Sequence, residues 1–61
     1  MKRISKEVRN NELVYTYEVE NKNRVSYLVF NSYKIFKNSI SAFGGWSMDK
    51  KCYYVEIHYA M

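Results

Sequence analysis

The sequence predicts a single small α+β domain: a mostly antiparallel sheet with one short helix on one face. Three observations predict it. Residues 13–20 and 51–60 alternate their side chains with period two, the signature of half-buried strands. Residues 33–43 break that alternation and gather their apolar side chains on one arc of a helical wheel. A chain of 61 residues, 48% hydrophobic and 26% charged, is ordered and has room for one core. The alternative architecture is an all-β small barrel, in which residues 33–48 form further short strands.

The elements follow in order. Ile4, Lys6 and Val8 alternate with Arg3, Ser5, Glu7 and Arg9 in a first strand. Asn10-Asn11 then supplies a turn, because Asn tolerates the left-handed region. In the second strand Leu13, Tyr15, Tyr17 and Val19 share one face, and Val14, Thr16, Glu18 and Glu20 the other. Asn21-Lys22-Asn23 reads as another tight turn. Residues 25–30 then read as a third strand, apolar on both faces: Val25, Tyr27 and Val29 on one, Leu28 and Phe30 on the other. Such a strand is covered from both sides, and it completes a three-stranded meander. Tyr33, Phe36, Ile40 and Phe43 fall on one helical arc, opposite Lys34, Lys37, Asn38 and Ser41. With Asn31 or Ser32 as cap and Gly44-Gly45 as left-handed stop, this predicts a helix at about 32–43. Residues 46–50 form a connection. In the final strand, 51–60, Tyr53, Val55, Ile57 and Tyr59 face one way, and Cys52, Tyr54, Glu56 and His58 the other.

Charge and cysteine content narrow the setting. Ten Lys and Arg against six Asp and Glu give +4, with a pI of about 9.3, so polyanions are weakly attracted. Between Glu20 and Asp49 the only charges are Lys22, Arg24, Lys34 and Lys37, a purely cationic middle. The single cysteine, Cys52, forms no internal disulfide, whereas small secreted domains lean on several. No run of 18 apolar residues is present to span a bilayer, and the charged start Lys2-Arg3 has no apolar run behind it. These features predict a cytoplasmic protein with no membrane partner. The abundance of Lys, Asn, Ile and Tyr also matches AT-rich codon usage.

The search for chemistry excludes more than it finds. Cys52 and His58 are the only thiol and the only imidazole, and on one strand six residues hold them roughly 20 Å apart. A nucleophile and its base need hydrogen-bond reach. Glu18 and Glu20 stand about 7 Å apart on one face, a spacing that suits paired carboxylates but equally an ordinary solvated face. Glu56 and His58 are same-face neighbours that suit an exposed ion pair. No Cys-x-x-Cys, His cluster or calcium loop offers a metal site. Gly44-Gly45 lacks the Lys-Ser/Thr of a phosphate cradle. The reading is a non-enzyme with no catalytic residue, no metal and no cofactor.

Binding is what remains. With the helix laid on one face of the sheet, the other face is expected to display Leu28, Phe30, Tyr54 and His58, rimmed by Glu18, Glu20 and Glu56. Exposed apolar patches of this kind mark protein partners, and Tyr suits contact surfaces. The first expectation is therefore a small binding protein that acts by protein–protein contact on an unknown target. Small phage-encoded inhibitors of host enzymes or defence systems share this size and composition. A homodimer formed through an unpaired edge, the first or the last strand, is also expected of so short a sheet. The alternative is nucleic-acid or nucleotide binding, with Lys22, Arg24, Lys34 and Lys37 on the phosphates and exposed aromatics under the bases.

Overall fold

The computed structural model describes residues 2–61. Its elements are β1 (Lys2–Arg9), β2 (Glu12–Val19), α1 (Lys22–Phe30), α2 (Ser32–Ile35), β3 (Ser39–Ser47) and β4 (Cys52–Ala60). The four strands form one antiparallel sheet in the order β1-β2-β4-β3. The class is α+β. The sheet is open, with β1 and β3 as its edges, so it does not close into the alternative barrel. The last strand, expected as a possible dimer edge, lies in the middle.

Turn chemistry sets the two hairpins. Asn10 and Asn11 both have positive φ, 51° and 64°, the requirement of a two-residue turn whose twist matches its strands. Arg9 and Glu12 pair directly across it. The β3–β4 turn occupies 48–51. It closes with Lys51 at φ 53° and with the Lys50 N–H donating to Ser47 Oγ at 3.2 Å.

Two expectations are corrected between the hairpins. Residues 25–30 belong to α1, not to a third meander strand. A run apolar on both faces has no clear period, and here the spacing of Val25, Leu28 and Val29 at i, i+3 and i+4 turns one stripe onto the sheet. Asn21 is a helix cap rather than part of a hairpin turn: its Oδ1 accepts the Arg24 N–H at 2.9 Å. The helix ends at Asn31, whose backbone N–H (3.0 Å) and side-chain Nδ2 (2.8 Å) both donate to the Tyr27 carbonyl.

The helix expected at 32–43 is a single turn, α2, followed by a strand. Asn38, at φ 72°, leaves the helical region and directs the chain into β3. Gly44 and Gly45 lie inside that strand with no positive φ, so neither is a helix stop. Gly44 is there for space: a Cβ at this position would meet Val25 Cγ1 at 2.5 Å and the Tyr54 carbonyl oxygen at 2.9 Å. The missing side chain lets α1 settle on β3.

The core lies between α1 and the sheet. Val19, Val25, Leu28, Val55 and Ile57 are buried there, with Tyr17, Val29, Phe36, Ala42, Tyr53 and Tyr59 packed around them. The shortest dimension is 15 Å, that of one sheet with one layer of helix on it. The helices lie over β3, β4 and the adjoining part of β2.

Candidate functional site

Strand register divides the side chains between two faces. The helix side carries Arg3, Lys6 and Val8 of β1 opposite Tyr17, Tyr15 and Leu13 of β2, then Val55, Ile57 and Tyr59 of β4. The far side carries every acid that lies in a strand: Glu7, Glu12, Glu18 and Glu56. The strand acids are thus confined to one face, which also carries Lys2 and Arg9, while the strand charges of the helix side are all cationic.

Three of these acids, Glu7, Glu12 and Glu56, join a polar network centred on His58. Its Nδ1 lies 2.8 Å from Glu12 Oε1 and its Nε2 lies 3.3 Å from Glu56 Oε1. Both contacts are hydrogen bonds when both ring nitrogens carry protons. Arg9 pairs with Glu7 at 3.0 Å and with Glu56 at 3.3 Å. The Phe43 ring meets the His58 ring edge-on at 5.3 Å. Val14, in register with Glu7 and His58, is fully buried in their midst. An open groove of about 390 Å³ continues this face between Ile4, Thr16, Tyr54, Glu56 and the turn residues Met48 and Lys50.

The predicted protein-binding residues do not form one patch. Tyr54 and His58 are half-buried on the far side. Leu28 is in the core at 1% exposure, and Phe30 stands at the end of α1 at 79% exposure. The misplacement follows from the α1 correction, because a helix sends Leu28 and Phe30 in different directions where a strand would align them. Nor is the second set a single cluster. Lys22 and Arg24 are exposed in the first turn of α1, Lys34 is exposed on α2, and Lys37 is exposed in the following turn. Arg24 lies over the Tyr27 ring at 5.2 Å and Lys34 over Tyr33 at 5.8 Å, contacts that hold the cations against aromatic faces.

Two features escaped the sequence reading. One is β3 as an edge. Its nine residues, Ser39–Ser47, contain no charge and no proline. Ile40, Phe43 and Trp46 project from it with more than half of their surface exposed, and Met48 follows at 81%. The other is a half-exposed aromatic row at the margin of the helix layer, formed by Tyr15, Tyr17 and Tyr59. A helix assigned to 32–43 hides both, because it removes the edge strand and covers the tyrosines.

Cys52 and His58 occupy opposite ends of the unbroken strand β4. Among the described residues no three His, Cys, Asp or Glu side chains converge on a metal-sized site. No helix among them is long and apolar enough to cross a membrane. In comparison with known proteins, the chain matches no family model, no curated protein and no solved structure.

Proposed function

We propose that the protein is a non-enzymatic binding protein that acts by direct protein contact, with β3 as the contacting edge. One observation carries the reading: β3 is a nine-residue edge strand without a charge or a proline, fringed by Ile40, Phe43 and Trp46. Its outer row of N–H and C=O groups can take up an extended segment of a partner, and the apolar fringe can close over it. Among the described residues the one thiol and the one imidazole lie apart on β4, and contact surface is what the chain offers, so it acts by occupation. That is how a small inhibitor works, and a phage or mobile-element inhibitor of a host enzyme or defence system is the class we propose. The free thiol of Cys52 suits a reducing compartment such as the cytoplasm.

A photoreactive residue placed at Ile40, and separately at Glu7 on the opposite edge, tests the proposal in nuclease-treated cell lysate. One defined adduct is expected from position 40, none from position 7, and loss of the adduct when Phe43→Lys is added. Equal labelling from both edges, or no adduct from β3, overturns it. An adduct between two copies of the chain identifies the partner as the protein itself.

A further inference from the structure

We infer that the half-exposed margin of the helix layer, around Tyr15, Tyr17 and Tyr59, is a binding site for single-stranded nucleic acid. The site is separate from the β3 edge.

The site begins where the helices end. Tyr15, Tyr17 and Tyr59, with Arg3 and Leu13, line an open trough of about 470 Å³. Their rings form a continuous row. Tyr59 meets Tyr15 edge-on at 5.6 Å, Tyr15 lies 6.5 Å from Tyr17 with planes 28° apart, and Tyr17 lies 5.8 Å from Phe36 at the same angle. Tyr15 and Tyr17 are half-buried and, as alternate strand residues, recur about 7 Å apart, so the exposed parts of their rings are spaced for separate bases. Stacking accepts any base, because every base has a π face.

The charges complete the match. Arg3 Cζ and Lys6 Nζ lie over the Tyr15 ring, 5.8 and 5.9 Å from its centre; a base that stacks on Tyr15 displaces these long side chains toward its own backbone phosphates. Lys37 follows Phe36 at the other end of the row. All the strand acids are on the reverse face, so none of them opposes a phosphate here. A partner protein needs neither a ring row nor a one-sided cationic rim, whereas a single strand uses both. Duplex DNA stacks its bases internally and cannot use the rings.

Fluorescence anisotropy with labelled oligo(dT) and oligo(U), and with a duplex of equal length, tests this. Both single strands are expected to bind more tightly than the duplex. Their affinity should fall with salt at a log–log slope of about −0.7 per phosphate neutralised. Tyr15→Ala should weaken binding about 5- to 150-fold, the range for losing one stacked base, while Tyr15→Phe retains it. Arg3→Glu with Lys6→Glu should flatten the salt dependence. Lys50→Glu with Lys51→Glu changes the net charge equally at the β3–β4 turn, where Lys50 lines the groove of the opposite face, and should leave binding nearly intact. Circular dichroism shows whether each variant is folded. The inference is overturned if duplex binds as well as single strand, if the Lys50 and Lys51 pair matters as much as Arg3 and Lys6, or if poly-glutamate binds as tightly as the oligonucleotides. Ile40→Lys, which disables the proposed protein edge, should not affect oligonucleotide affinity, so either proposal can fail without the other.

Discussion

The two edges of the sheet are built in opposite ways. β1 carries Lys2, Arg3, Lys6, Glu7 and Arg9 within eight residues, whereas β3 carries no charge in nine. Both lack a strand partner on one side. Charged side chains protect β1 from pairing with another chain, because a docking strand would have to desolvate or repel them. β3 has no such protection and is also the edge over which α1 and α2 are packed. Edge position alone therefore does not make a contact surface. The difference is that β3 is buttressed by the core and left uncharged, while β1 lies outside the helix layer and carries the cations of the aromatic trough.

Four measurements break or sharpen this contrast. Leu28→Ala empties the centre of the helix layer that supports β3, and should cost about 2–5 kcal/mol. In a chain whose whole stability is on the order of 3–9 kcal/mol, that approaches unfolding in urea titration. Val8→Ala, a comparable truncation on β1 at a side chain 58% exposed, should stay within about 0.5 kcal/mol. Equal losses from the two substitutions would mean that both edges depend on the core alike.

Gly44→Ala comes next. The added methyl must displace Val25 or the Tyr54 carbonyl, which should cost about 1–3 kcal/mol. A lower thermal midpoint is expected, while Gly45→Ala, which meets only the Tyr54 ring at 3.9 Å, should shift it far less.

Exchanging the characters of the edges has a smaller effect on stability and a diagnostic one on association. Ile40→Lys should weaken partner contact about tenfold, or ~1.4 kcal/mol, with the urea midpoint unchanged. Lys2→Thr, Lys6→Thr and Arg9→Thr together should make β1 self-associate, visible as concentration-dependent sedimentation. If the triple variant stays as monodisperse as the parent, charge is not what protects β1.

The smallest effect is in alkaline solution. Partial burial raises the Tyr59 phenol above its ordinary value, and Tyr17 and Tyr15 add to the shift. The fold therefore favours the protonated phenol. Its stabilisation is complete below the unfolded value of about 10 and is lost as pH rises through the folded value. Tyr59→Phe should flatten the fall in stability above pH ~10, a change measured by urea titration at several pH values.

The hairpin strands were legible because their evidence is local. Tyr15, Tyr17 and Val19 alternate cleanly, and Asn10-Asn11 supplies two left-handed residues where a tight turn needs them. The final strand was legible for the same reason, with Val55 and Ile57 inward and Glu56 and His58 outward. The middle was not. Residues 25–30 are apolar at nearly every position, so strand and helix both bury a face and period cannot choose between them. At 33–43 the apolar residues fit a helical arc, yet Ser39 and Ser41 are poor helix formers, α2 ends at Ile35, and Asn38 at positive φ turns the chain into β3. Both errors moved the candidate site. They aligned Leu28 with Tyr54 and concealed β3.

Alternation, Asn turns and an acid-free middle are properties of neighbours in the chain, so the α+β class, the paired strands and the excess positive charge could be read without coordinates. The choice between helix and strand at residues 22–47 was made by packing. Val25 found a seat where Gly44 leaves room, and that contact joins residues far apart in the chain. The same packing of helix on sheet placed an uncharged strand at the rim and left the Tyr15–Tyr17 row half-exposed. Short-range patterns set which elements are available, and burial across the sheet set which surfaces remain exposed to a partner.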